Sequence, residues 1–295
     1  MTVAFVGAGN MGGALVERLC EAGWPVTVCD IDPSRQQQAL AAGASLADTP
    51  LSAVAQLGPE DALVIVVVDA DQCREVLWGE QGAASGLQAG QVVVLCPTIA
   101  PEDTVAIAQR LAEKGIDCID APMSGGPQRA RDGRMSLMVA APVEVLQRHA
   151  DLLAALSLNV VRISERVGDG ARTKLVNNLL AGINLVGAAE VLALAGRMGL
   201  DLTTTLDVIE RSSGQSWIGS DRMRRAIDGD LAPRAHMNLL EKDTRLAVAA
   251  ARSVGFEGPL GASAGAVFKA AHEAGMADLD DAALLSFLRQ KTPRP

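Results

Sequence analysis

Short apolar runs alternate with longer amphipathic stretches through the first half of the chain, and that alternation predicts strands followed by helices. Thr2–Val6 reads as a strand, and the glycine-rich turn after it opens an amphipathic helix through about Ala22. Val26–Asp30 and a weak Ala44–Leu46 read as strands, and Leu63–Val68 is apolar throughout, as a strand buried on both faces should be. Asp71–Leu77 and Glu102–Lys114 carry helical periods, while Val92–Leu95, Cys118–Asp120, Met135–Ala140 and Val160–Ile163 read as further strands. Repeated units of this kind predict an α/β domain, a doubly wound and mostly parallel sheet covered on both faces.

After Ser164 the period of 2 disappears. The long helix from about Ala171 to Met198 is followed by Thr203–Ser212, Asp221–Ile227, Met237–Val254, Leu260–Ala274 and Asp280–Leu288, all helical in period, and then a proline-containing tail, Thr292–Pro295. The expected division is an α/β domain over residues 1–164 and an all-α domain over residues 165–295, joined through the long helix. Apolar residues cover more than one face of that helix, which predicts burial in a core or an interface. Its polar members Lys174, Asn177, Asn178, Asn184 and Glu190 therefore need a reason, because a buried polar group without a partner costs about 1–3 kcal/mol.

The turn after the first strand is Gly7-Ala-Gly9-Asn10-Met11-Gly12, a Gly-x-Gly-x-x-Gly sequence between a strand and a helix. In that setting the first glycine permits the tight turn, the second admits a pyrophosphate to the backbone, and the third lets helix and strand approach. Asp30 ends the second strand 18 residues beyond Gly12, where a carboxylate accepts hydrogen bonds from an adenosine ribose. A second acid, Asp32, follows, and no arginine comes before Arg35, so NAD is favoured over NADP. A turn that merely packs a strand–helix–strand unit is the competing reading.

A chain of 295 residues, 49% hydrophobic and 21% charged, fits an ordinary two-domain globular protein. Its net charge of −9 argues against nucleic acid, which needs a basic face. The N-terminus has no basic region before its apolar run, so no signal peptide is expected, and no membrane span is expected of a long helix interrupted by asparagines and a glutamate. Five scattered cysteines read as free thiols of a cytoplasmic protein, and no spacing suggests a metal.

Three further stretches stand out: Cys96-Pro-Thr98-Ile-Ala-Pro101 at a strand end, Asp120-Ala-Pro-Met-Ser124-Gly125-Gly126, and the pair Lys242-Asp243. Each taken alone is a turn or a solvated salt bridge. The last two, together with Gly7–Gly12 and Gly168-Asp-Gly-Ala-Arg-Thr-Lys174-Leu-Val-Asn-Asn178, resemble the signatures of the β-hydroxyacid dehydrogenase family (3-hydroxyisobutyrate dehydrogenase-like), in the same order and spacing. Met123 stands where many members carry valine. Ser212–Trp217 and Cys96–Pro101 look most like the L-threonate dehydrogenase branch, and Ala181 replaces the glutamate of the decarboxylating relatives.

The resemblance implies a Rossmann-type fold, a homodimer or homotetramer, and a small anionic hydroxy acid as substrate. It implies Lys174 as general acid/base, with Asn178 orienting the substrate. Ser124, Gly125, Gly126 and Asn177 are implied at the substrate, and Gly7, Gly9, Asn10, Met11, Gly12, Asp30, Thr98 and Lys242 at the cofactor. A lysine near its free pKa of about 10.4 is a poor base, so burial must bring it toward about 7–8. Two other readings are an imine reductase, which generally lacks the lysine, and a non-catalytic NAD-binding sensor. Trp217, as a loop residue, would lid the site or pack in the core, and Arg129 would meet a polar substrate tail or solvent.

Overall fold

The computed structural model describes residues 1–291, and the expected proline-containing tail lies outside them. The chain divides into two compact units, Met1–Lys174 and a second that begins at Leu175.

The first unit is built on a sheet of strands β1 (Val3–Val6), β2 (Val26–Cys29), β3 (Ser45–Leu46), β4 (Ala62–Ile65), β5 (Val92–Leu95), β6 (Asp117–Asp120), β7 (Met123–Ser124), β8 (Ser136–Ala140) and β9 (Asn159–Ser164). Their order is β3-β2-β1-β4-β5-β6-β8-β7, with β9 paired to β8. The pairs from β3 through β6 are parallel, with Val3 opposite Val26 and Ala62, whereas β8 runs antiparallel to β6 and β7. The sheet is therefore mixed at one end, where the chain returns antiparallel from β7 to β8 and β9 then pairs parallel to β8. Successive residues of a strand face opposite sides. Phe5, Val28, Val64 and Val94 accordingly join one core with Leu15 and Leu19, and Ala4, Val6, Ile65 and Leu95 join the other with Leu77 and Leu111.

Helices α1 (Asn10–Glu21), α2 (Pro33–Ala41), α3 (Pro50–Val54), α4 (Ala70–Trp78), α5 (Pro101–Ala112), α6 (Gly126–Arg131), α7 (Val143–Arg148) and α8 (Ala150–Leu156) connect the strands. Of these, α2, α3, α6, α7 and α8 are absent from the periodicity reading. In α2 only Ala39 is buried, so no apolar stripe exists to be read; its start is written instead in Asp32, whose side chain accepts the Ser34 N–H, and in Pro33. The start of α3 is a capping box of Thr49 and Ser52.

The long helix α9 spans Asp169–Arg197, two residues earlier at its start than the pattern suggests. It opens inside the first unit and continues into the second. There α10 (Leu202–Glu210), α11 (Trp217–Asp228), α12 (Met237–Ser253), α13 (Pro259–Ala271) and α14 (Leu284–Lys291) follow, around a core of Leu185, Leu192, Met223, Phe268 and Leu284. Within the chain, α9 is covered on one side only. Leu185, Ala189 and Leu192 are buried, whereas Val176, Leu180, Val191 and Leu194 are exposed. By length and composition α9 would pass for a membrane span, but its buried side belongs to the helical core.

Trp217 corrects a second expectation. Ser216 accepts the Gly219 N–H and caps α11, which makes Trp217 its first residue rather than part of a loop. At 47% exposure it is not a core residue either.

Candidate active site

The glycine turn has the geometry its three glycines predict. A Cβ on Gly7, whose φ is +92°, would lie 2.4 Å from the Val66 carbonyl oxygen, and one on Gly12 would lie 2.0 Å from that of Gly7. Those two positions admit no side chain. Around Gly9, by contrast, nothing lies within 4 Å of an added Cβ, so the backbone is open to an approaching group at the N-terminus of α1. That opening and the helix amides suit a pyrophosphate.

Asp30 follows β2 beside this turn. One carboxylate oxygen accepts the Ala8 N–H and the other the Asp32 N–H at 2.8 Å, while its carbonyl accepts Gln36 Nε2 at 2.6 Å. The acid thus braces both turns that border the dinucleotide crevice, beyond its expected role toward a ribose. Arg35, which the sequence reading used only as a distant cation, reaches back so that Nη2 donates to Asn10 Oδ1 at 2.9 Å. Asp32 has its pKa lowered, chiefly by its hydrogen bonds from Ser34, and stays charged. Thr98, half-buried, lies between β5 and α5, and Met11 is half-buried in the first turn of α1.

At the end of β6 stands Asp120, only 1% exposed. Burial pushes its carboxyl up to about 6, against the backbone N–H groups of Ala171, Gly168 and Gly170 that favour the charge. The chain then forms β7, where Met123 and Ser124 pair with Leu137 and Ser136. Gly125 and Gly126 follow with φ of +140° and +76°, and next to Gly126 a Cβ would meet nothing within 4 Å. Ser124, Gly125 and Gly126 are half-buried, and Arg129, on α6, is exposed. Lys174 is 7% exposed, one turn into α9.

In the helical unit, Asn178 is also 7% exposed. Its Nδ2 donates to Asp243 Oδ2 at 2.6 Å, and its Oδ1 accepts Asn177 Nδ2 at 3.0 Å. Asp243, to which the sequence alone assigns no role, also lies 3.1 Å from Lys242 Nζ through its other oxygen. That oxygen lacks a well-directed hydrogen bond, so the Lys242 contact is an ion pair rather than a second bond. Asn177, Asn178, Lys242 and Asp243 are therefore brought together as one polar chain, and a carboxylate facing Nδ2 fixes which end of the Asn178 amide donates. Lys174 and Asn178, four apart, share a face of α9 one turn apart.

Comparison with known proteins finds two family matches along the chain. Residues 2–164 match the NAD binding domain of 6-phosphogluconate dehydrogenase, and residues 168–288 match the NAD-binding domain of NADP-dependent 3-hydroxyisobutyrate dehydrogenase. The chain is 36% identical to an L-threonate dehydrogenase of Cupriavidus necator, over 96% of this chain and 94% of that one. It is 35% identical to a 3-hydroxyisobutyrate dehydrogenase of Pseudomonas aeruginosa, over 90% of each. A crystal structure of 3-hydroxyisobutyrate dehydrogenase from Salmonella typhimurium superposes with a TM-score of 0.90 at 34% identity, covering 97% of this chain and 99% of that one.

Proposed function

Because the chain belongs to the 3-hydroxyacid dehydrogenase family and carries its NAD(P)-binding domain, we propose that it oxidises a small 3-hydroxy acid with NAD, using Lys174 as general acid/base. The candidates are sugar acids such as L-threonate, the name borne by similar relatives, and acids of the 3-hydroxyisobutyrate or glycerate type. The observation that carries the reading is a lysine at 7% exposure, one turn before an equally buried asparagine whose amide is pinned by Asp243.

Ser124 with the amides of Gly125 and Gly126 would hold the substrate carboxylate. Asn178 would orient the substrate, with Asn177 fixing the Asn178 carbonyl. In oxidation Lys174 Nζ takes the proton of the substrate hydroxyl, and in reduction it returns that proton to the forming alkoxide. The bound nicotinamide supplies the hydride acceptor. Gly7, Gly9, Asn10, Met11 and Gly12 would carry the pyrophosphate, and Asp30 the ribose, with Thr98 and Lys242 in the cofactor roles that the resemblance implies. The imine-reductase reading lacks support in a site that keeps both Lys174 and Asn178. The exposed apolar side of α9 supports a homodimer or homotetramer, and five cysteines, none in a disulfide among the described residues, support a reducing cytoplasm.

The direct test measures NADH and NADPH formation against L-threonate, D-glycerate, 3-hydroxyisobutyrate and 3-hydroxypropionate. NADH formation with at least one acid is expected. Cofactor binding with no turnover on any acid would favour the sensor, and turnover of cyclic imines alone would favour the imine reductase.

Cofactor choice gives a second expected outcome. Asp30→Ala removes a negative charge beside the ribose and two braces of the crevice, so NAD affinity should fall by about tenfold, the equivalent of one charge-assisted hydrogen bond of ~1.5 kcal/mol. NADP affinity should fall less, because Arg35 then faces a 2′-phosphate without the opposing acid. Calorimetric titration with each dinucleotide reads this directly, and an unchanged ratio of the two affinities would contradict the role given to Asp30.

A further inference from the structure

Asp120 does something for which the hydroxy-acid reading assigns no residue. Its Oδ2 accepts the N–H of Gly168 at 2.8 Å and of Ala171 at 3.0 Å, so one carboxylate oxygen at the end of β6 collects donors from the start of α9. Ala171 lies in the first turn, whose amides have no intrahelical acceptors, Gly168 lies just before it, and the negative charge sits at the positive end of a 29-residue helix. The helix has an acid of its own in that turn, Asp169. That side chain is turned to Ser164, Arg166 and Arg172 instead.

The approach is also tight. A Cβ on Gly170 would lie 2.9 Å from Asp120 Oδ2 and 2.9 Å from the Met138 carbonyl oxygen, so glycine alone lets the first turn seat against β6 and β8. Capping alone would not call for a buried charge, because a local serine or asparagine caps a helix without one. A carboxylate 48 residues upstream instead ties the helix to a particular strand. Lys174 lies three residues beyond Ala171, on the same rigid turn. Asp120 also opens the stretch that ends at Ser124, Gly125 and Gly126, so both groups proposed to act on the substrate are reached from this residue.

We propose that Asp120 is the positioning residue of the acid–base step, holding the first turn of α9 in one register against β6 and so setting the Lys174 amine relative to the Ser124–Gly126 turn. The inference rests on the proposed role of Lys174. A displacement of about 1 Å at a reacting group is enough to cost on the order of a hundredfold in rate.

The test uses the full chain with Asp120→Ala, Asp120→Asn and Lys174→Ala, assayed with whichever acid of the panel is turned over fastest. Asp120→Ala should lower kcat by about tenfold or more, leave KM for NAD and NADH binding by tryptophan fluorescence unchanged, and expose the amides of Gly168 and Ala171 to hydrogen exchange. Asp120→Asn, whose amide oxygen still accepts, should recover most of the rate. A folded Asp120→Ala protein with the wild-type kcat would overturn the proposal. So would a loss confined to KM. Should the alanine variant not fold, an Asp120→Asn protein with undiminished exchange protection and no recoverable rate decides against it in the same way. An active Lys174→Ala enzyme sinks the acid–base reading itself, whereas an inactive one beside a fully active Asp120→Ala sinks only this inference.

Discussion

Replacing Lys174 by alanine should lower kcat by about two or more orders of magnitude, the usual scale for a lost general acid/base, while NAD affinity is retained. The separation follows from the structure. The turn that would carry the dinucleotide is built from Gly7, Gly9, Gly12 and Asp30, none of which depends on the lysine for its geometry. Lys174→Arg sharpens the result. A guanidinium keeps the positive charge but does not lose its proton at working pH, so if proton transfer is the lysine's task, arginine should be nearly as inactive as alanine. If the charge merely holds the substrate carboxylate, arginine should restore much of the rate and alanine should show mainly a raised KM. Steady-state kinetics with fluorescence titration of NADH distinguishes these outcomes, and a near-normal kcat in the alanine variant would remove Lys174 from the mechanism.

How far the sequence could be read depended on how far apart the interacting residues lie. The glycine turn is local, so its spacing announced both the turn and the openness of Gly9. Lys174 and Asn178 are four apart, and a helical period was enough to pair them. Asp120 with Gly168 and Ala171, and Asn178 with Asp243, lie 48, 51 and 65 residues apart. No pattern in either segment signals such a partner, so Asp120 read only as the start of a small-residue turn and Asp243 only as half of a charge pair. Burial was legible in part. Apolar residues all round α9 predicted a covered helix, but period alone does not say whether the cover comes from its own chain, and here one side is left exposed. The division of the chain illustrates the same point. The pattern changes after Ser164, whereas the compact unit runs on to Lys174, and the bonds from Gly168 and Ala171 to Asp120 lie inside that unit.

The largest expected effect on stability lies in the helical unit, where two arginines of α11 meet two adjacent aspartates that lead into α14. Arg222 Nε donates to Asp281 Oδ1 at 2.5 Å, and Arg225 Nη1 to Asp280 Oδ1 at 3.1 Å. Asp280 is 0% exposed and Asp281 1%. The two acids are not equivalent. Asp280 also accepts the N–H groups of Arg234, Ala235 and Ala282; burial opposes its charge, but these bonds and Arg225 hold its carboxyl below the usual range. Asp281 has burial pushing it up to about 6, with Arg222 as the main opposing influence. Removing Arg222 therefore strands a buried charge, and Arg222→Ala should cost about 3–5 kcal/mol. The deficit should depend on pH in a definite direction. Without the guanidinium, the folded state prefers protonated Asp281 more strongly than the unfolded chain does, so it gains a proton as pH falls and the stranded charge disappears. The loss, read from urea unfolding followed by circular dichroism, should be larger at pH 8 than at pH 5. Pairing Arg222→Met with Asp281→Leu removes both charges and should recover most of the loss at either pH. A deficit that is independent of pH, or that the double substitution leaves in place, would show that Arg222 contributes through its packing, its contact with Asp221 or its stacking 6.0 Å from the Trp217 ring rather than by neutralising Asp281.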